Sequence, residues 1–487
     1  MAQPQAPSGG LRPSRYRQAL PDWEAFERAT AAPPPCVHAH PARIARAELA
    51  RLLREEGIPS EPIAWQPHAL RLPPQSRPGL AWPFRVGLYQ IQEEASLLPV
   101  ALLAPRPGER VLDLCAAPGG KTAQIAAALA GTGSVVANDR SGRRLSALRE
   151  KVKRWGLLNV ATSVSNGCAY PVTSGPFDRV LVDAPCSAER SAADRASRAD
   201  GAAHYRLRIA QTQRDLLRRA LALCRPGGRV VYSTCSLAPE ENEAVVDAVL
   251  RALPGQARIL STRIPGLALA PGLTHWRGSH FLPELQRALR LWPHRAGTGG
   301  FFGVALERTT VGATHEPASQ EWARFEEADA ELACSVARML QRFGLPEDTL
   351  DGQRLLRRGR RELHAAARSL AVPAQPAPGF VGIPFAKLGA AVPKPTTAAA
   401  LLLGARARRN TIEVDAGQAA AYLSRQPFEA RPQQLSLCDA GGFVILRRSG
   451  LPLGAALLQA QGKRTRVEST FPRSWIPESQ RSDTDAR

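Results

Sequence analysis

Apolar residues recur along the chain with two different periods, and the change between them divides it. From Ala42 to Gly57 the run A-R-I-A-R-A-E-L-A-R-L-L-R-E-E-G places apolar side chains at helical spacing and stops at a glycine, which predicts a helix with a C-cap. Before it, residues 1 to about 35 are Pro- and Gly-punctuated, with one short helical piece around Trp23 and Phe26; after it a Pro-rich connector runs to about Pro83. G-L-Y-Q-I-Q-E-E-A-S-L-L-P-V, Gly87 to Val100, reads as a helix leading into the centre of the chain.

There the pattern alternates. E-R-V-L-D-L, G-S-V-V-A-N-D, V-A-T-S-V-S, F-D-R-V-L-V-D and G-R-V-V-Y-S-T are short apolar runs bounded by turn residues, hence strands. Between them lie an Ala-rich helix after C-A-A-P-G-G-K-T, a helix in R-L-S-A-L-R-E-K-V-K-R-W, and a long one from about Arg206 to Cys224. Strands alternating with helices predict an α/β fold with a mostly parallel sheet covered on both faces. G-G-F-F-G-V-A-L-E-R, near residue 300, reads as a closing strand. Beyond Arg308 the rhythm changes: residues 315 to 345 read as helical, Arg354 to Arg361 as a solvated basic helix face, and V-P-A-Q-P-A-P-G as a linker. A small α+β piece follows from about Asn410. The expected division is 1–86, 87–309, 310–390 and 391–487, and no internal repeat is evident.

Composition adds one constraint. The formal net charge is +21, while apolar and charged fractions of 44% and 22% are those of a globular protein. An Arg- and Ala-rich composition can reflect genome bias, but a large positive excess also attracts polyanions, of which nucleic acid is the commonest. No basic amphipathic helix with an aromatic face and no apolar run of membrane-spanning length appears, so a membrane partner is not expected. Eight cysteines without C-x-x-C spacing predict reduced thiols, a cytoplasmic compartment and no metal. The first residues lack a secretory apolar core, and their Arg content leaves an organelle transit peptide open.

Candidate chemistry sits where strands end. V-D-A-P-C-S (Val182–Ser187) and V-V-Y-S-T-C-S (Val230–Ser236) each place a cysteine just past a strand, so Cys186 and Cys235 are expected to face one crevice. For a lone cysteine a buried structural thiol is the ordinary reading, and Cys36, Cys115, Cys168, Cys224, Cys334 and Cys438 are assigned to it. Asp113 to Lys121 puts Gly119-Gly120 at a strand-to-helix turn, where backbone N–H groups can meet a ligand. Asp139 ends the next strand, where an acid can hold ribose hydroxyls. The layout suits a nucleoside-containing cofactor, but it lacks both G-x-G-x-x-G and the Walker pattern.

Taken in order, C-A-A-P-G-G-K-T, A-N-D, D-A-P-C-S and Y-S-T-C-S followed by E-E-N-E resemble the motifs of the NOP/Sun family of RNA cytosine-C5 methyltransferases. Q-E-E-A-S, T-Q-R and W-P-H…G-G-F-F fit at the flanks, so the resemblance runs from about Gly87 to Arg308. T-I-E-V-D-A-G-Q-A-A-A-Y-L with G-G-F-V-I-L and G-L-P-L-G resembles the PUA-like C-terminal extension of the bacterial RsmF group, which modifies small-subunit ribosomal RNA. The resemblance implies a Rossmann-like domain using S-adenosylmethionine, flanked by an N-terminal α+β RNA-binding segment and a PUA-like α+β domain. It makes Cys115, Ala116, Ala117, Pro118, Gly119, Gly120 and Lys121 the cofactor loop, with Asp139, Asn166 and Asp183 also at the cofactor. Cys235 becomes the nucleophile, Cys186 the thiol that helps release product, and Asp183 the group that holds the base. Asn166-Gly167 stands where Asp-Gly is usual, Ala188 and Arg190 where glycines are common, and His38-Ala39-His40 where Arg-x-Asn often precedes the helix.

The chemistry explains these residue types. A thiolate adding to cytosine C6 makes C5 nucleophilic toward a methyl sulfonium, and a free thiol with pKa about 8.5 needs help to ionise. Lys121 is the cation expected beside it, and Asp183 the group expected at N3 and the amino edge. Ribosomal RNA is the expected partner, with tRNA a further candidate and a monomer the default. Three rivals stay open: a DNA cytosine methyltransferase with Cys186 as nucleophile, a non-catalytic ribosome-assembly factor, and, least, an amino-methyltransferase, whose [N/D]-P-P-[Y/F] is absent.

Overall fold

The computed structural model describes residues 16–17, 20, 22–29, 33–187, 202–310, 324–390, 392–461 and 464–477. Ala188 and Arg190 lie outside them.

The centre is a ten-stranded sheet. Its main strands are β1 (Arg110–Asp113), β2 (Ser134–Asp139), β3 (Val160–Val164), β4 (Phe177–Asp183), β5 (Cys224–Thr234), β6 (Leu289–Leu291) and β7 (Phe301–Arg308), in the spatial order β6-β7-β5-β4-β1-β2-β3. β1 to β5 are parallel, and β7 runs antiparallel between β5 and β6. Helices α1 (Gly120–Ala128), α2 (Gly142–Trp155), α3 (Ala202–Leu223) and α4 (Glu243–Ala252) follow β1, β2, β4 and β5.

The strands read as continuous apolar runs because both faces are covered. Val111, Val135, Leu181 and Val231 enter one core with Leu145, Leu148 and Val152 of α2. Their neighbours Leu112, Val136, Val180, Val182, Val230 and Tyr232 enter the other with Leu216, Leu217 and Ala220 of α3. The chain leaves β1 for β2 on one side and reaches β4 on the other. The strand order thus reverses at β1, which opens a crevice at the carboxyl ends of β1, β4 and β5.

Three local expectations need correction. Gly87 to Val100 is not one helix: Tyr89–Gln92 is a strand paired with Cys36–Ala39, and the helix Leu98–Leu103 starts only at the next proline. Gly87 breaks the run, because its φ of +76° and the 2.4 Å between an added Cβ and the Arg154 carbonyl oxygen admit only glycine. The basic run is a strand, Gln353–Arg358, closed into a hairpin at Gly359 (φ +58°), in which Arg357 and Arg354 meet Glu326 and Glu327 at 2.7 and 3.3 Å. Cross-strand charge pairing, rather than helical solvation, accommodates those arginines. The Pro/Ala stretch leads directly into Phe380–Val381, which pairs antiparallel with β3 and extends the central sheet.

Both flanking pieces dock on α2. On the N-terminal side, His40 Nε2 lies 2.9 Å from the Trp155 carbonyl and Arg43 donates to the Arg154 carbonyl at 3.0 Å. On the C-terminal side, a five-stranded sheet with helices Thr397–Leu403 and Ala416–Leu423 brings Trp475 Nε1 to Glu150 Oε2 at 2.6 Å. His294 lies 2.8 Å from Asp22, so W-P-H anchors the helix Trp23–Arg28. Among the described residues no helix is long and apolar enough to cross a membrane.

The docking carries a pH signature. Burial holds the His38 and His40 imidazoles down at about 3. The unfolded chain, with histidines near 6.5, therefore binds more protons between about pH 6.5 and 3. Their contribution is complete above 6.5 and is lost as pH falls, by about 1.4 kcal/mol per histidine per pH unit. Asp113, pushed up by burial from 3.8 to about 7, has the opposite sign, its contribution falling as pH rises through that window. Two imidazoles outweigh one carboxyl, so the melting temperature is expected to drop between pH 6.5 and 4.5. His40→Asn should flatten that slope, and an unchanged slope would assign the titration elsewhere.

Candidate active site

The loop after β1 is tied down by backbone before any side chain acts. Ala116 N–H donates to the Asn138 carbonyl and Gly119 N–H to the Ala116 carbonyl, each at 2.7 Å. Gly119 adopts φ +94°, and an added Cβ there would lie 2.7 Å from Leu148 Cγ. Only glycine lets the loop turn this close to α2, and α1 then begins at Gly120. The remaining loop residues, Ala117 and Pro118, span the turn. Cys115 packs behind it; burial and the nearby Asp113, Asp183 and Asp139 push its thiol well up, as suits a packing group.

Asp139, at the end of β2, accepts from Ala117 N–H at 3.3 Å and Ser141 N–H at 2.9 Å, and lies 3.5 Å from Arg144. Arg144 returns to the loop by donating to the Ala117 carbonyl at 2.9 Å. Asn166, after β3, accepts from Cys168 N–H at 3.2 Å and so caps the short turn Gly167–Ala169. Two further groups were not singled out from the sequence. Arg144 has no motif to mark it, and Asp113 was visible only as the first residue of the glycine turn. Asp113 accepts from Thr122 Oγ1 at 2.7 Å, while its Oδ1 is buried without a partner among the described residues. An orphaned acceptor beside a glycine cradle and a second acid fits a cofactor that carries both an amino group and a ribose.

The thiols meet. Cys186, just past β4, and Cys235, just past β5, have their sulfurs 3.0 Å apart. Forty-nine residues separate them, but β4 and β5 pair in register from Arg179↔Arg229 to Asp183↔Ser233, and Ala184 N–H extends that ladder to the Ser233 carbonyl. Beside them Lys121 Nζ lies 2.6 Å from Asp183 Oδ2, and Ser233 Oγ donates to Asp183 Oδ1 at 2.9 Å. Burial works against the Lys121 ammonium, yet Asp183 next to it, with Asp113 and Cys235, outweighs burial and holds the amine above its ordinary value. A cation therefore stands near Cys235, where it can favour a thiolate. Cys36 and Cys224 lie elsewhere, with thiols pushed up by burial.

The crevice thus gathers Cys186, Cys235, Lys121 and Asp183 with the Cys115–Lys121 loop, while Asp139 and Asn166 stand at the ends of successive strands along its rim. Distances alone rank neither thiol above the other.

Comparison with known proteins points the same way. Residues 100–307 match the family model described as 16S rRNA methyltransferase RsmB/F. The chain is 37% identical over 265 residues, 53% of its length, to the human 28S rRNA (cytosine(4447)-C(5))-methyltransferase, of which it spans 32%. It is 32% identical over 229 residues to the tRNA (cytosine(49)-C(5))-methyltransferase of Pyrococcus abyssi, covering 46% of this chain and 72% of that one. A solved methyltransferase homolog from Pyrococcus horikoshii superposes with a TM-score of 0.52 at 31% identity, over 61% of this chain and 93% of that chain. With such identity spread over nearly all of a smaller structure on a superposable Rossmann-like fold, the chain belongs to the RsmB/F methyltransferase family.

Proposed function

We propose that the protein is an S-adenosylmethionine-dependent RNA cytosine-C5 methyltransferase acting on small-subunit ribosomal RNA. The observation that carries this reading is the 3.0 Å approach of two thiols beside the Lys121–Asp183 pair. The 16S description of the matching family model supports the choice of RNA.

In this reading S-adenosylmethionine, when bound, supplies an electrophilic methyl group. Cys115 to Lys121 hold it with Asp139 at the ribose and the free acceptor of Asp113 toward its amino group. Asn166 would meet the adenine amino group through the remaining lone pair of its oxygen, and Asp183 would border the cofactor. Cys235 attacks C6 of a flipped or unpaired cytosine. The S–C6 bond forms, ring electrons shift toward C5, and Lys121 stabilises the thiolate that begins the step. Asp183, sharing a proton with N3, holds the N3 and amino edge and so draws electrons from C6. Once C5 is methylated its proton passes to solvent, the C5–H electrons re-form the C5=C6 bond, and Cys235 departs as a thiolate carrying the S–C6 electrons, with Cys186 assisting. The N-terminal segment and the PUA-like C-terminal domain grip backbone phosphates through the excess positive charge. A reducing cytoplasm suits the thiols, and the enzyme acts as a monomer.

The test is transfer of labelled methyl groups from S-adenosylmethionine to 16S rRNA, free and in assembled small subunits, with tRNA alongside. Label in cytosine C5 of 16S rRNA is expected. Label in tRNA alone would move the substrate to the second reading, which the Pyrococcus abyssi relative favours. No transfer, with cofactor still bound, would favour the assembly-factor reading.

Gly119→Ala tests the cofactor turn. Left-handed backbone and the Leu148 contact together cost about 1–3 kcal/mol, so calorimetry should show S-adenosylmethionine binding weakened roughly tenfold or more. Unchanged affinity would remove the turn from the cofactor site.

A further inference from the structure

The segment that leads from the Cys235 loop into α4, Glu240-Glu241-Asn242-Glu243, is acidic, yet Glu241, Asn242 and Glu243 are fully buried. Buried carboxylates persist only when their oxygens are satisfied. Glu241 is satisfied by groups that flank the two thiols. Its Oε2 accepts from Ser187 N–H at 2.9 Å and from Gln213 Nε2 at 3.1 Å. Its Oε1 accepts from Ser236 Oγ at 3.0 Å and from Ser187 Oγ. Ser187 follows Cys186, and Ser236 follows Cys235. Gln213, from α3, also donates to the Pro185 carbonyl at 2.9 Å, on the other side of Cys186.

The rest of the segment anchors this clamp. Asn242 accepts from Thr234 Oγ1 at 2.6 Å and donates to the Ser236 carbonyl at 2.9 Å, so it holds both neighbours of Cys235. Tyr232 Oη donates to the Glu241 carbonyl at 2.5 Å. Glu243 is paired with Arg290 of β6, both side chains wholly buried. Pairing of β4 with β5 ends at the loops, so the ladder does not fix where the sulfurs sit.

We propose that Glu241 is a positioning residue that holds the Cys186 and Cys235 loops at the separation the reaction needs. This rests on the proposed reaction for its purpose, but the geometric claim stands by itself. Glu241→Gln keeps the volume while presenting an amide N–H to the donors of Ser187 or Gln213. One arm of the clamp must then open.

The test uses the full-length protein and two readouts. First, a diazene oxidant such as diamide takes two electrons and two protons from the thiols, forming the S–S bond and a hydrazine. Mass spectrometry follows Cys186–Cys235 pairing. Wild type should pair these cysteines rapidly, and Glu241→Gln about tenfold more slowly or worse. Second, kcat for methyl transfer should fall about tenfold or more, with the KM for S-adenosylmethionine and its binding affinity unchanged. A merely structural role would move melting temperature and cofactor affinity together and leave that split unseen. If Glu241→Gln does not fold, the paired change Ser187→Ala with Ser236→Ala removes two arms and should slow pairing and kcat in the same way. Wild-type pairing and kcat in either folded variant would overturn the proposal. Glu241-dependent pairing in a wild-type protein that methylates no RNA would support the positioning role and sink the proposed reaction instead.

Discussion

Cys235→Ala is expected to abolish methyl transfer, with a loss of about 10⁴-fold or more, because in the proposed reaction Cys235 is the group that makes C5 nucleophilic by adding to C6. Cys186→Ala is expected to behave differently. The adduct still forms, but release slows, so a protein–RNA species should survive denaturing gels. The two sulfurs lie 3.0 Å apart in the same crevice. In the proposed reaction their roles differ through orientation toward the base and the Lys121 cation, not through access. An adduct formed only through Cys186, and lost in Cys186→Ala, would reverse the assignment and restore the DNA-type mechanism. Turnover surviving in Cys235→Ala would remove covalent catalysis altogether.

Breaking the Lys121–Asp183 pair is expected to have the next largest effect. The contact is 2.6 Å, and the side chains are 15% and 28% exposed. Each is thus partly desolvated, and removing one strands the other. Lys121→Met and Asp183→Asn should each lower kcat by roughly 10²–10⁴-fold, because in the proposed reaction each touches the reacting ring or the thiolate. Each should also cost about 1–3 kcal/mol of stability, less than the 3–5 kcal/mol of a fully buried pair because water still reaches this one. The double variant separates the effects. With neither charge left unpaired, stability should return most of the way while activity stays low. Recovery of activity with stability would make the pair a structural strut, and Asp183→Ala that still transfers methyl would remove its role at the base.

How far the chain could be read before folding follows from the range of each interaction. The alternation from Arg110 to Thr234 was legible because strands covered on both faces are apolar throughout, and the turns between them carry Gly, Pro and Asp for local steric reasons. Gly87 to Val100 reads as one helix in the sequence, and differs in the fold, for a matching reason. Y-Q-I-Q is compatible with either period, and its partner, Cys36–Ala39, lies some fifty residues away. The same holds for Gln353–Arg358, whose arginines suit a helix surface until Glu326 and Glu327 appear across a strand.

By itself, then, the sequence determined the α/β class, the glycine turn at Gly119, the ends of the strands that carry Cys186 and Cys235, and the residue types available for thiol chemistry. These rest on local sterics and on periodicity, which act over a few residues. Tertiary structure alone decided that Lys121 pairs with Asp183, that Asp113 keeps one oxygen open, that buried histidines seat the N-terminal sheet on α2, and that Glu241 gathers both cysteine loops. Each joins atoms from elements distant in the chain at hydrogen-bonding or ion-pair range, and only the register and packing of the finished sheet set those distances.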